Sequence, residues 1–557
     1  MPDVKHMKWW GWGVEGVAFH HEDKPGFRPF VIEAVDLDVD VEPTSLRSPD
    51  PLEPPRPMIP AELVAELRDA VGPENVVNTD ADRIVHTYGK SVRDLLRLRS
   101  GDIPRVPDVV VYPADEEEVQ LVVDRAVAGN AVLIPFGGGS NISGSLQAPP
   151  DETRPVISVD MGRMNRVLSV DEESGLARVQ AGVLGPDLEE QLSALGWTLG
   201  HFPDSFTHST LGGWVATRSS GMQSDKYGDI SEITRGVRVV QPGKVLVLRP
   251  LPSTSTGPSV REMVLGSEGR LGIITEVTVQ VHRIPENRLI LGYLFPSWDA
   301  SLAAMQEIST SDAHPSVTRV SDGRETRFSF ATRKKSSGLS ISSLVSKGLM
   351  KVLERRGWQL DQSCLSFIGY EGGKDHVRRQ KAIVKDIVGK HGGIVLGKGP
   401  GVLYDQKKFD TPYIRDFLLD RGAIGDVSET AAPWSKLKPL YDNVMAAAND
   451  AFAELGVVGW IMCHLSHSYH SGACLYFTFA FKHSPVDPLA QYDRVKSAVQ
   501  QAFVDSDGTL SHHHAVGTEH APWLEQDISA PGVHMIDGLF AAIDPGSNFN
   551  PGKIVVK

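Results

Sequence analysis

The sequence predicts an α+β chain, a two-part cofactor-binding domain followed by a separate α+β domain that covers the substrate, and three observations carry the prediction. Three glycine-rich passages, residues 135–143, 204–213 and 266–274, adjoin short β runs. Clustered glycines allow positive φ and let backbone N–H groups turn together onto an anion, and a diphosphate is the natural guest. The β runs from 156 to 183 are joined by a turn at 173–175 rather than by crossover helices, so the pattern is not doubly wound. Beyond about residue 286 the texture changes to mixed strands and longer helices, which marks a second domain.

Taken in order, residues 1–60 form an N-terminal arm, rich in Trp and Pro, that wraps over a later domain. A short amphipathic helix starts after Pro60, with Leu63 and Leu67 four apart. Residues 108–112 read as a buried strand, 115–128 as a helix with acidic residues in its first turn, and 131–134 as a strand emptying into the first glycine passage. Residues 186–195 look helical, and 275–281 alternate as a strand. The expected domains are 61–285 for the cofactor, 286–505 for the substrate, and 506–557 as a segment returning to the cofactor site. Gly11, Gly13 and Gly16 satisfy GxGxxG, but no strand precedes them, so a dinucleotide role is set aside.

Composition excludes several classes. At 557 residues, 41% apolar and 23% charged, the chain is globular and long enough for two or more cores. A balance of 56 basic against 70 acidic residues, −14, argues against nucleic acid as a partner. Cys364, Cys463 and Cys474 form no close pair, which disfavours a disulfide framework and fits a reducing cytoplasm. No run approaches the roughly 18 apolar residues that span a bilayer. Residues 333–356 hold seven Lys or Arg against Glu354 alone, and Lys347, Lys351 and Arg355 recur at helical spacing. That pattern suits either a solvated lid helix or a helix lying peripherally on an anionic membrane.

Together the glycine passages, in order and spacing, resemble the FAD-binding segments of the vanillyl-alcohol-oxidase superfamily with its PCMH-type FAD-binding domain. Residues 7–13, 203–205, 209–214, 221–222, 431–434, 472–477 and 511–514 resemble, more narrowly, the alkyl-dihydroxyacetone-phosphate synthase family. The resemblance implies FAD held by Pro135, Phe136, Gly137, Gly138, Gly139, Ser140 and Asn141 at the diphosphate. Ribityl and ring contacts would come from Asp204, Ser205, Phe206, Thr207, His208, Ser209 and Thr210 and from Thr217, Arg218, Ser219 and Ser220. Glu268, Gly269, Arg270, Leu271, Gly272, Ile273 and Ile274 complete the set.

It implies exchange of the acyl group of acyl-dihydroxyacetone phosphate for a fatty alcohol, without net redox, on a lipid-like substrate. Tyr476 would be the base, joined by His513, His514, Arg319 and Arg415, with no metal. An unperturbed phenol has a pKa of about 10, so Arg415 and the histidines are expected to lower it if they lie near. On residue type alone Tyr476 is a packed strand tyrosine, the histidines a surface cluster and the arginines salt-bridge partners. If 511–514 is extended, His512 and His514 share one side and His513 faces the other. The family tends to place basic residues after this triplet, whereas this chain has Gly517, Thr518, Glu519 and His520. A homodimer is the expected assembly. Two alternatives stay open: a non-enzymatic flavin or lipid carrier, and an FAD-dependent 2-hydroxy-acid dehydrogenase in which His464 and His467 approach the triplet and bind a metal. The dehydrogenase reading has no evident carboxylate among its histidines.

Overall fold

A computed structural model describes residues 4–43, 52–334, 351, 353–355, 357–407 and 411–556. Most of the basic stretch 333–356 lies outside the described residues.

Four strands open the fold: β1 (Val76–Val77), β2 (Val109–Val111), β3 (Val132–Phe136) and β4 (Val156–Asp160), ordered β1-β2-β4-β3. β4 runs parallel to β2 and β3, while β1 is antiparallel. The helix Glu116–Ala128 joins β2 to β3; Asp115 caps it by accepting from the Glu118 N–H, and three glutamates in its first turn favour the positive end of the helix. Leu63 and Leu67 are buried in the helix Ala61–Val71, which shares this core.

The next strands are β5 (Val167–Asp171), β6 (Leu176–Gln180), β7 (Trp197–Thr198), β8 (Thr234–Gln241), β9 (Lys244–Leu248), β10 (Ile273–Gln280) and β11 (His282–Arg283). Five form an antiparallel sheet, β5-β6-β10-β8-β9, and β7 pairs with β11. The third sheet holds β12 (Asn287–Phe295), β13 (Val317–Ser321), β14 (Cys364–Gly372), β15 (Ile394–Gly397), β16 (Ala423–Pro433), β17 (Gly459–Ser468) and β18 (Gly472–Lys482). Its order is β15-β12-β14-β13-β17-β18-β16. Strand alternation divides β18: Leu475, Phe477 and Phe481 enter the core, while Tyr476, Thr478 and Ala480 face a cavity.

Both ends of the chain fold back. In the arm, Phe27–Val35 is a helix whose Phe27, Phe30 and Val31 pack with Phe417, Leu418 and Ala423 of the third-sheet region. Gly11 and Gly13 let the arm approach the helix Thr411–Leu419: a Cβ on Gly11 would meet Asp416 at 2.3 Å, and Trp12 N–H donates to Asp416 Oδ2 at 2.6 Å. At the other end, Phe549 bridges β3 at Leu133, and Asn550 N–H donates to Leu133 O at 2.9 Å.

Candidate functional site

β3 releases the chain into the first glycine loop, which lies directly against residues 208–210. A Cβ on Gly138 would stand 1.8 Å from the His208 carbonyl oxygen and one on Gly137 2.3 Å from Thr210 Oγ1, while Gly139 takes φ +68. Packing therefore dictates all three glycines, and the loop presents backbone rather than side chains. The passages open onto one cavity of about 1140 Å³, and the residues present fit FAD because no side chain of 137–139 can intrude on a diphosphate.

Most of the expected cofactor residues line this cavity: 135–141, Asp204, Ser205, Ser209, Thr210, Thr217, Ser219, Ser220, Glu268, Gly269, Gly272, Ile273 and Ile274. Six do not line it: Phe206, Thr207, His208, Arg218, Arg270 and Leu271. Phe206 stacks on Trp214 in the core, His208 meets Trp12 edge-on at 5.8 Å, and Thr207 is exposed, because the 3-10 turn Phe206–His208 points these side chains in different directions. Arg218 reaches Glu262 at the surface, Arg270 lies over Phe540 and donates to Phe549 O, and Leu271 joins the core. Glu268 is buried, and its carboxylate accepts from Val516 and Gly517 N–H and from the Ser145 hydroxyl, tying the C-terminal segment to the loop.

The other end of the cavity is built on β13, β16, β17 and β18. Register places His464, Tyr476 and Glu429 side by side on three neighbouring strands. The Tyr476 ring lies between His464, 4.8 Å away and tilted by 20°, and His513, 5.8 Å away and tilted by 18°. His514 meets it edge-on at 5.4 Å. The phenol has no hydrogen-bond partner among the described residues. Burial, with Asp204 and Glu429 beside it, pushes its pKa well above 10, against the expectation that its neighbours lower it; Arg319 pulls the other way.

The histidine triplet is not extended. Residues 511–514 curl around the Glu429 carboxylate, which accepts from the N–H of His512 at 2.6 Å, of His513 and His514 at 3.0 Å, and from the Ser511 hydroxyl at 2.8 Å. His513 and His514 therefore share the Tyr476 side, while His512 turns to Tyr469 at 2.6 Å. Burial opposes ionisation of Glu429, yet the histidines and these donors hold its pKa well below 4.5. Burial keeps the His513 pKa well below its usual value.

Arg319 and Arg415 line the same cavity. Arg319 donates through Nη2 to Glu325 Oε1 at 2.8 Å. Arg415 donates through Nη1 to Lys90 O at 2.6 Å and rests over Trp12, while its Nε and Nη2 are buried without an acceptor. Sequence reasoning missed Glu429, Glu325 and Lys496. Lys496, from the helix Pro488–Asp505, binds Asp426 Oδ2 at 3.0 Å and acts on His514, so a buried cation stands near the triplet although none follows it in sequence.

Of the two histidines in the dehydrogenase alternative, His467 approaches the triplet, with ring centroids 5.2 Å from His512 and 5.5 Å from His513, while His464 turns toward Glu325. His464 and His467 diverge across an irregularity between Leu465 and His467, the former toward Glu325 and the latter donating through Nε2 to Gly221 O at 3.0 Å. A carboxylate, Glu429, does stand among the histidines: while accepting the backbone N–H groups of 512–514, it lies 3.7 Å from His513 Nδ1 and 3.5 Å from His514 Nδ1. His467, Cys474, His512 and His513 bring one donor atom each within 4.8 Å of one another.

Comparison with known proteins agrees with this architecture. Residues 107–248 match a family model described as FAD binding domain, and 284–554 match one described as FAD linked oxidases, C-terminal domain. Alkyldihydroxyacetonephosphate synthase of Dictyostelium discoideum is 41% identical over 89% of this chain and 80% of its own length. That of Trypanosoma brucei brucei is 36% identical over 99% and 92%. A solved alkyldihydroxyacetonephosphate synthase structure superposes with a TM-score of 0.86 at 36% identity, covering 98% of both chains.

Proposed function

Because the chain belongs to the alkyldihydroxyacetonephosphate synthase family of FAD-linked enzymes, we propose that it exchanges the acyl group of acyl-dihydroxyacetone phosphate for a fatty alcohol. One observation carries this reading: the glycine loop, the Tyr476 ring cluster and a long apolar channel belong to a single cavity. FAD, when bound, supplies an electrophilic ring at which the substrate carbon is activated with no net oxidation. The chain's own residues do the rest. Phe19, Phe27, Phe30, Trp460 and Phe479 line a dry channel suited to an alkyl chain. The two unpartnered nitrogens of Arg415, Nε and Nη2, suit phosphate oxygens, because a buried guanidinium edge without an acceptor is costly until an anion satisfies it. Arg319, fixed by Glu325, holds a second cationic edge toward the carboxylate that leaves.

Lys24, Arg333 and Lys334 line the apolar end of the channel, and Arg333 and Lys334 are exposed. Asp23 pairs with Lys24 and Lys334 there, and the net positive charge that Arg333 and the lysines leave at an apolar passage supports peripheral contact with an anionic membrane from the cytoplasmic side. No helix among the described residues is long and apolar enough to cross a membrane.

The test is anaerobic incubation of the FAD-loaded protein with palmitoyl-dihydroxyacetone phosphate and hexadecanol, beside D-lactate. Palmitate release matched by ether formation is expected, with no flavin reduction by lactate. Full bleaching by the hydroxy acid without palmitate release would replace exchange with oxidation.

A further inference from the structure

Behind the histidines that face the cavity, four side chains with nitrogen or sulfur donors converge. His467 and Cys474 are paired across β17 and β18, and His512 and His513 arrive from the C-terminal segment. Their donor atoms, one from each residue, all lie within 4.8 Å of one another. Cys474 is fully buried and His467 is 6% exposed, while His513 also lines the cavity and so gives an ion a way in.

The spacing of the three rings points to what fits between them. The His467–His512, His467–His513 and His512–His513 centroids stand 5.2, 5.5 and 5.1 Å apart. Imidazoles held on one tetrahedral zinc by Zn–N bonds of about 2.0–2.1 Å have ring centres about 5.2 Å apart. Aromatic rings packed without an ion are free to sit anywhere in a range of about 4.5–7 Å.

Hydrogen bonding turns one nitrogen of each ring toward the ion. His467 Nε2 lies 3.0 Å from Gly221 O, a carbonyl that only accepts, so Nε2 holds the proton and Nδ1 the lone pair. His512 Nε2 lies 2.6 Å from the Tyr469 hydroxyl, which itself donates to Asp229 Oδ2 at 2.8 Å. The hydroxyl therefore accepts from His512 Nε2, and His512 Nδ1 holds a lone pair. That Nδ1 stands 2.8 Å from His513 Nδ1, which must supply the proton between them. Outer nitrogens anchored on a backbone carbonyl and on a carboxylate-bound hydroxyl are the usual support of metal-bound imidazoles. The Ser466 hydroxyl, 2.8 Å from His467 Nδ1, has to rotate away to admit an ion.

Charge favours a cation here as well. Glu429 Oε2 lies 3.9 Å from Cys474 Sγ and 3.7 Å from His513 Nδ1, and Asp229 stands behind Tyr469 on the other side. A thiol that ligates a metal gives up its proton, so a thiolate and two nearby carboxylates meet the two positive charges.

We propose that His467, Cys474, His512 and His513 form a binding site for a borderline-soft divalent cation, zinc first among them. Four metal–ligand bonds form, the S–H bond of Cys474 breaks with its proton going to solvent, and His513 exchanges its Nδ1 proton for one on Nε2. Three imidazoles and a thiolate complete a tetrahedral sphere, so no position stays open for a hydroxy acid and the dehydrogenase reading is not restored. Occupancy ties His513 to the ion. Zinc therefore inhibits ether formation, a consequence that rests on the exchange reading above, whereas the site itself does not.

The FAD-loaded protein is stripped with chelator, titrated with zinc chloride by calorimetry and studied by X-ray absorption at the zinc edge. One zinc per chain should bind with a Kd of about 1 μM or tighter, in a shell of one sulfur at about 2.3 Å and nitrogens at about 2.0–2.1 Å. Cys474→Ser should remove the sulfur shell and weaken binding about 100-fold or more, beyond what losing an outer partner does. His467→Gln should weaken binding about tenfold or more with the sulfur shell kept, which decides the matter if Cys474→Ser folds poorly; flavin content reports folding in each. A Kd weaker than about 100 μM, a shell of nitrogen and oxygen alone, or a sulfur shell that survives Cys474→Ser overturns the site. With palmitoyl-dihydroxyacetone phosphate and hexadecanol, zinc should halve ether formation near its measured Kd, and full turnover by the zinc-saturated protein overturns the hold on His513. A protein that binds zinc in this shell yet makes no ether after chelation overturns the exchange reading and leaves the site standing.

Discussion

Glu429 shows how much of the site hangs on one side chain. Its carboxylate gathers three consecutive backbone N–H groups and the Ser511 hydroxyl, and that grip sets which way the triplet faces. Hydrogen bonds to a charged group contribute about 1.5–3 kcal/mol each and do not add simply, so Glu429→Gln should destabilise the holoenzyme by about 3 kcal/mol. The loss has a pH signature. A carboxyl whose folded pKa lies well below 4.5 contributes stability that is complete above its unfolded value and disappears as pH falls through the folded value. Thermal melts from pH 7 to pH 3 should show wild type losing this contribution only at the acid end, with the gap to Glu429→Gln closing there; a constant gap would mean that the carboxylate is not the origin. A second residue-scale outcome concerns Gly138. An added Cβ meets backbone at His208, which cannot swing aside, so Gly138→Ala should cost about 1–3 kcal/mol and weaken FAD binding, read by flavin titration. The glycines and Tyr476 were legible in sequence as motifs. Glu429 was not, because it reaches the triplet from 83 residues away through strand register, which no local pattern reports.

At the scale of elements, the strands and the helix after Asp115 follow from alternation, capping and acidic first-turn residues, signals that are local. The arm helix was missed for a local reason too. Phe27, Phe30, Val31 and Ala34 recur at helical spacing, but Pro25, Gly26 and the surrounding tryptophans and prolines masked the period. That helix forms one wall of the apolar channel, with the Phe30 ring 5.6 Å from Phe328 and 5.2 Å from Trp460. Phe30→Ala removes both contacts, and buried Phe to Ala costs about 3–5 kcal/mol. Phe27 and Val31 also hold this helix against Phe417 and Leu418, so the cost should fall on docking of the arm and not on the fold of either domain. Limited proteolysis should cut the arm faster in the variant, and KM for a palmitoyl substrate should rise while that for a short acyl chain changes little. Equal rises for both chain lengths would place the helix outside the channel.

At the scale of the whole molecule, the two ends of the chain meet the cofactor loops from opposite sides. His6 of the arm and His86 share the Asp160 carboxylate at 2.7 and 2.9 Å, just beyond Phe136. The C-terminal stretch answers them: Asn550 Nδ2 donates to Ser145 O at 2.9 Å and to Glu268 O at 2.7 Å, joining the first and third glycine passages. Sequence order made the passages visible one at a time and left invisible what holds them together, since the Asn550 ties span hundreds of residues and use backbone carbonyls that every residue type offers. Asn550→Asp isolates the tie. The change is nearly isosteric, but it replaces a donor with an acceptor facing two carbonyl oxygens that are then unpaired and repelled. A penalty of about 1.4 kcal/mol passed on to the cofactor is tenfold in affinity, so the Kd for FAD should rise about tenfold or more. The melting temperature without FAD should fall as well, because the tie exists whether or not the cofactor is bound, and the FAD-induced rise at a fixed FAD concentration should shrink in proportion to the lost affinity. A variant that melts early but binds FAD as tightly as wild type would show that the C-terminal stretch braces the fold without shaping the cofactor site.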